Sequence, residues 1–229
     1  MYALSGTVSA NHLIASAYRP SSKVEPEKLL QFLIPPLMSS IQSNTFLDES
    51  LAVLTRSLHS WQATSTDKSF LSPDITIPLT SLLSSIASAH PNPATRFQTF
   101  RILSLLLASE EPGLRLQHLV ELTGHSEFPQ MRVAAVGLVK EALLQGFSTT
   151  SGKQDNIFLG PLFLRTFGPI LFRPEPPDLF AGDTLEMKTF QESSEPARLV
   201  ECLSLYYVLV QRDHDNLVSI HYPFYSCLF

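Results

Sequence analysis

Pro93-Ala94-Thr95-Arg96 and, 36 residues later, Pro129-Gln130-Met131-Arg132 each open a run in which apolar residues recur at helical spacing. Weaker echoes of this entry fall at Pro161 to Arg165 and at Pro196 to Arg198. Proline suits the first position of a helix, where its missing N–H would have had no partner. Self-similarity at about this period marks stacked helical repeats, in which each helix pair buries its apolar face only against its neighbours. The expected fold is all-α: a HEAT/armadillo-like α-solenoid of antiparallel helix pairs, whose extended surface suits the binding of other proteins.

Working outward, Ser72-Pro73-Asp74 supplies a cap, a proline at the first position and an acid on the positive end of the helix dipole. The helix it opens is expected to carry Leu79, Leu82, Leu83 and Ile86 to about Ala89. Asn92-Pro93 repeats the device for Phe97, Phe100, Leu103 and Leu107. Nearer the N-terminus, Glu25-Pro26 opens a helix that Pro35-Pro36 should break or kink, and Asp48 is the expected cap of a helix bearing Leu51, Leu54, Leu58 and Trp61.

Downstream, residues 112–123 are expected to end at Gly124, a natural left-handed cap residue. The next helix uses Met131, Ala135, Leu138, Val139, Ala142 and Leu143 and stops at Gly146; Ala134, Ala135 and Gly137 are small enough to admit a neighbouring helix. Asn156 caps a helix from Ile157 to about Phe167, where Gly168-Pro169 kinks or ends it. Residues 181–195 form an acidic connector, and a last helix places Leu199, Cys202, Leu203, Tyr206, Leu209 and Val210 on one face. No segment alternates as a strand does. The domain reading is a weakly structured lead-in over 1–23, a helical-repeat domain over 24–212 that is a fragment of a longer array, and an aberrant or truncated tail over 213–229. Its aromatic residues, Tyr222, Phe224, Tyr225 and Phe229, are unlike the polar-backed cap that closes such arrays.

Composition narrows the function. Of the 229 residues 44% are hydrophobic and 16% charged, which is ample for a core, and the net charge of −5 with scattered Lys and Arg argues against a nucleic-acid backbone as partner. No window has the form of a secretory signal or a membrane span. Cys202 and Cys227 make no disulfide framework, and Cys202 reads as a small buried hydrophobe. The expected location is cytoplasmic, with the nucleus as a second compartment.

No motif calls for catalysis, a cofactor, a metal or a small-molecule substrate. Gly146 to Lys153 resembles a phosphate loop at a glance, yet its glycine spacing is one residue too long and Gln154 stands where the metal-binding hydroxyl belongs. His118, Glu121 and His125 lack the spacing of a helical zinc site, and Asp213-His214-Asp215 reads as a hydrophilic surface turn. Arg96 and Arg132 stand at matched repeat positions; either they tie neighbouring repeats together through a carboxylate or helix-end carbonyls, or they touch a partner. The proline-rich stretch Leu171 to Phe180, with Phe172, Arg173, Asp178 and Phe180, is the candidate partner-binding segment, the alternative being a connector whose aromatics plug the core.

Four stretches resemble the glomulin and fungal YAP-binding protein family: residues 93–103, 128–141, 161–180 and 196–209. The third, containing Phe167-Gly-Pro-Ile-Leu-Phe-Arg-Pro174, is the most distinctive, because a generic helical repeat has no need of it. The resemblance covers about residues 93–212 and ends at Asp213. It implies a HEAT-like solenoid and a non-enzymatic role: a regulator that inhibits cullin–RING ubiquitin ligases by binding the RING-box subunit. A second implied role is that of a fungal adaptor for a bZIP transcription factor in the oxidative-stress response, or of a kinetochore-associated protein. No RING-contacting residue of the family maps onto a position here.

Overall fold

The computed structural model describes residues 26–64, 70–148, 156–175, 179 and 187–218. All regular structure among them is helical. The chain divides into two compact units, Met1–Glu111 and Pro112–Phe229, and the expected 24–212 repeat region spans both.

The first unit holds α1 (Pro26–Gln42), α2 (Leu47–Thr64), α3 (Pro73–Ala89) and α4 (Pro93–Ala108). In α1, Leu30, Leu33, Ile34, Leu37 and Ile41 form one buried stripe. Pro35 and Pro36 were expected to interrupt this helix, yet it runs through both. They lie on its exposed side, where water can take the carbonyls they leave unpaired. The helix ends in a Schellman motif: Asn44 adopts a left-handed φ of 51°, Thr45 N–H donates to Ser40 O at 2.9 Å, and Asn44 N–H donates to Ile41 O at 3.1 Å.

Asp48 is not the cap of α2, because the helix already begins at Leu47; the acid instead sits in the first turn, where it meets the positive dipole end. Leu51, Leu54, Leu58 and Trp61 are all buried, as their spacing predicts. Only His90, Pro91 and Asn92 link α3 to α4, and the two helices fold back on each other in extensive contact. Asn92 caps α4 by accepting from Ala94 N–H at 2.9 Å. The buried face of α4 is Thr95, Thr99, Ile102, Leu103, Leu106 and Leu107, so Phe97, expected in the core, points outward at 65% exposure.

The second unit holds α5 (Pro112–Val120), a π-helical turn (Glu121–His125), α6 (Pro129–Ser148), a 3₁₀ turn (Ile157–Leu159), α7 (Pro161–Leu171), α8 (Met187–Glu192) and α9 (Glu195–Arg212). Helix α6 is central, with α9, the π turn and the 3₁₀ turn packed against it. Its buried residues Met131, Ala135, Leu138, Val139, Ala142 and Leu143 match the expected stripe. Gly146 does not end α6; it lies inside the helix, and a Cβ there would stand 3.0 Å from Asn156 Nδ2 and 3.1 Å from Leu159 Cγ. Its lack of a side chain is what lets the 3₁₀ turn approach. Gly137, by contrast, has nothing within 4 Å of where a Cβ would be, so it admits no neighbour. Gly124 is not a left-handed cap but part of the π turn. The helix expected from Asn156 to Phe167 is split at Gly160, and α7 then continues past Pro169 to Leu171.

Candidate partner-binding site

The distinctive stretch after Phe167 becomes the end of α7 and the segment that leaves it, and α9 holds this segment down. Arg198 projects from the second turn of α9 into the protein. Its Nε donates to Glu195 Oε2 at 2.7 Å and its Nη2 to Glu195 Oε1 at 2.7 Å, a two-pronged contact between side chains each only 7% exposed. The remaining donors leave the helix: Nη1 reaches Ile170 O at 3.1 Å and Nη2 reaches Arg173 O at 2.6 Å. The carboxylate works in the same direction, since Glu195 Oε1 also accepts from Glu175 N–H at 3.0 Å. The carbonyls at a helix end have no partner within the helix, and here a buried guanidinium supplies one. The bond to Glu195 raises the Arg198 pKa further, against the opposing effect of burial.

Around this clamp lies a cavity of about 310 Å³ lined by Pro129, Arg132, Glu175, Ser193, Ser194, Glu195 and Arg198. Arg132, at the entry of α6, donates from Nη1 to Glu175 Oε2 at 2.5 Å, across 43 residues of sequence. Arg96 occupies the matched position in α4 but reaches only backward, its Nη1 donating to His90 O at 2.7 Å and Pro91 O at 3.1 Å. The same entry pattern thus serves a local turn in one place and a distant carboxylate in the other.

Phe172 is half-buried and meets Tyr206 edge-on, with ring centroids 6.0 Å apart and planes at 81°. Arg173 is exposed, with its carbonyl held by Arg198. Asp178 and Phe180, named with them from the sequence, lie outside the described residues, as does most of the phosphate-loop-like stretch.

The face of α9 is the expected one only in part: Cys202 and Leu209 are buried as their spacing predicts, whereas Leu203, Tyr206 and Val210 are not. Glu195, Arg198, Cys202, Leu205 and Leu209 point inward, while Val200, Leu203, Tyr206, Tyr207 and Val210 form an outward flank, with Leu203 at 67% and Tyr207 at 65% exposure. The apolar count misplaced the register because both sides of this helix are apolar and the inner side carries the charges. Glu195, assigned to the acidic connector, belongs to the core. The signal that could have found the clamp was Glu195 three residues before Arg198, an ion-pair spacing on one helical face.

Cys202 is buried beside this pair, and burial pushes its thiol up to about 11 despite the nearby Arg198. Asp213, read as a surface residue, is 4% exposed and accepts from Leu217 N–H at 2.7 Å and Val218 N–H at 2.9 Å. His125 and Glu121 approach to 3.8 Å on the surface, and among the described residues no group of three or more His, Cys, Asp or Glu could hold a metal ion.

Residues 27–223 match the family model described as "Uncharacterised protein family, YAP/Alf4/glomulin". The chain belongs to this family. The match runs beyond Asp213, where the resemblance was expected to end, in keeping with the buried, bonded turn that Asp213 starts. Neither the curated proteins nor the solved structures include one that matches the chain. The four stretches that carried the resemblance all lie inside the family match, and two of them, the end of α7 and the entry of α9, are the two sides of the clamp. In this member of the YAP/Alf4/glomulin family the unusual Phe-Gly-Pro-Ile-Leu-Phe-Arg-Pro stretch therefore has a physical role: its carbonyls are the ligands of Arg198.

Proposed function

We propose that the chain is a non-enzymatic protein-binding scaffold, built as a HEAT-like solenoid, which inhibits a cullin–RING ubiquitin ligase by covering its RING-box subunit. The observation that carries this reading is the outward flank of α9: five large apolar side chains on successive turns, flanked by Phe172 and anchored from within by the Arg198 clamp. Apolar area of this kind is stabilised by removal from water, at roughly 1.5–3 kcal/mol for each large side chain fully covered, and contiguous patches on a protein surface mark interaction sites. Aromatic anchors on a rigid element lose little entropy on binding. Membership of a family whose description includes glomulin supports a protein partner. The proposal needs no cofactor, metal, nucleic acid, membrane or small-molecule substrate, and places the protein in the cytoplasm, with the nucleus second.

The test is a reconstituted ubiquitin-transfer assay with a cullin–RING-box complex and the full chain. Transfer should fall as the chain is added, and Leu203→Ser with Tyr207→Ser should relieve the inhibition without shifting the melting curve. Capture of a bZIP factor with no effect on transfer would select the adaptor role instead. Neither effect, with a well-folded chain, would reject the scaffold reading.

A further inference from the structure

Arg198 and Arg132 line the same cavity, yet they are used differently. Every nitrogen of the Arg198 guanidinium is engaged by Glu195 or by a carbonyl of the α7 end. Arg132 makes one contact, from Nη1 to a single oxygen of Glu175, while its Nε is buried with no partner. A buried donor left unpaired carries a desolvation cost that any suitably placed acceptor would remove. Glu175 cannot be that acceptor as it stands, being held by one oxygen and 55% exposed at the side chain. Its main chain, however, is fixed independently, because Glu175 N–H donates to Glu195. The Glu175 side chain can therefore leave Arg132 while the segment stays in place.

We infer that Arg132 is a receptor for an acidic side chain of a bound protein, and that Glu175 is the internal carboxylate that competes with it. A guanidinium offers a planar fork matched to both oxygens of a carboxylate. In Arg132 the Nε–H and Nη2–H form one such fork, and Glu175, which takes Nη1 alone, leaves that fork open to an incoming Asp or Glu that enters the cavity. The entry of α6 adds the positive end of a helix dipole, since Pro129 lines the same space. Glu175 opposes the incoming carboxylate through its like charge, and its half-exposed side chain can swing into water. The inference rests on the protein-binding reading only for the source of the carboxylate.

Binding of a fluorescently labelled deca-glutamate peptide to the full chain, read by anisotropy at low salt, tests this. Glu175→Gln removes the competing charge and should tighten binding about fivefold, the size of a lost exposed ion pair. Arg132→Gln should weaken binding about tenfold in either background, whereas Arg165→Gln, an exposed arginine of α7 outside the cavity, should change it by less than about twofold. Equal losses for Arg132→Gln and Arg165→Gln would mean general charge attraction and overturn the inference, as would a Glu175→Gln chain that binds no more tightly than the parent. Thermal melts of every variant identify any loss due to unfolding, and Arg132→Lys, which keeps the charge without the fork, should recover only part of the binding. Because no cullin component is present, failure here leaves the ligase reading standing, and failure of the transfer assay leaves this site standing.

Discussion

Arg198 holds both oxygens of Glu195 at 2.7 Å and spends its other donors on the main chain that leaves α7. A charge pair this deep is costly to assemble, and its net worth lies in what breaks when one member is lost. Arg198→Met strands a buried carboxylate together with two carbonyls and should cost about 3–5 kcal/mol. In Glu195→Leu with Arg198→Met no charge is left behind, so the double change should cost clearly less than the sum of the singles. Urea unfolding of the four chains measures this; additive losses would mean that the two groups do not act as a pair.

Two glycines of α6 should respond oppositely to alanine. Gly137→Ala meets no atom within 4 Å and should stabilise the protein, by about 0.5–1 kcal/mol, through the ordinary helical preference for alanine. Gly146→Ala drives a methyl to 3.0 Å from Asn156 and 3.1 Å from Leu159, so it should destabilise by about 1–3 kcal/mol. Thermal melting of the two variants settles the sign of each.

The matched arginines should also part company. Arg96 closes the α3–α4 turn with two bonds to carbonyls, and Arg96→Ala should cost about 1–3 kcal/mol. Arg132→Ala removes a pair whose acid is more than half exposed, and should cost no more than about 1 kcal/mol. Equal losses on chemical unfolding would show that both positions carry the same structural load.

Cys202 makes the pH dependence specific. Its folded thiol titrates near 11, against an ordinary value of 9.0. Below pH 9 both folded and unfolded chains keep the proton, and the group contributes no slope. Between 9 and 11 the unfolded chain releases it first, so stability falls as pH rises, by roughly 2–3 kcal/mol across the window. Cys202→Ala should flatten that fall. At pH 8 the parent thiol should react with iodoacetamide far more slowly than Cys202 in the urea-unfolded chain.

What could be read from the chain alone was what is local. Asn92 and Asn156 are found where they cap, because a cap depends on the two residues that follow it. The faces of α1, α2 and α6 follow from spacing, since each has one apolar side. In α9 that logic held for Cys202 and Leu209 and failed for Leu203, Tyr206 and Val210: two apolar sides compete, and an inward ion pair decided which of them met the core. Phe97 was misplaced for a related reason, the inner face of α4 being built partly of threonines. Of the site, Phe172, Arg173 and Arg132 were named in advance, but the Glu175 and Arg198 contacts join residues 43 and 25 apart. No periodicity in a single sequence reports such distances. For the proline pair of α1 the bonds it deletes matter less than the exposed side of the helix on which it deletes them.

The π turn at Glu121–His125 also bears on how this chain can change. Within it the Thr123 hydroxyl donates to Leu119 O of α5 at 2.7 Å. The same turn brings Gly124 so close to α7 that a Cβ would stand 3.4 Å from Ile170. Tightening the turn by one residue would carry Gly124 off that contact, and a larger residue at 124 would press Ile170 while the turn stayed wide. The extra residue and the glycine thus form a pair that is best gained or lost together, which makes this turn a place where descendants of the sequence should differ in length and in residue at once.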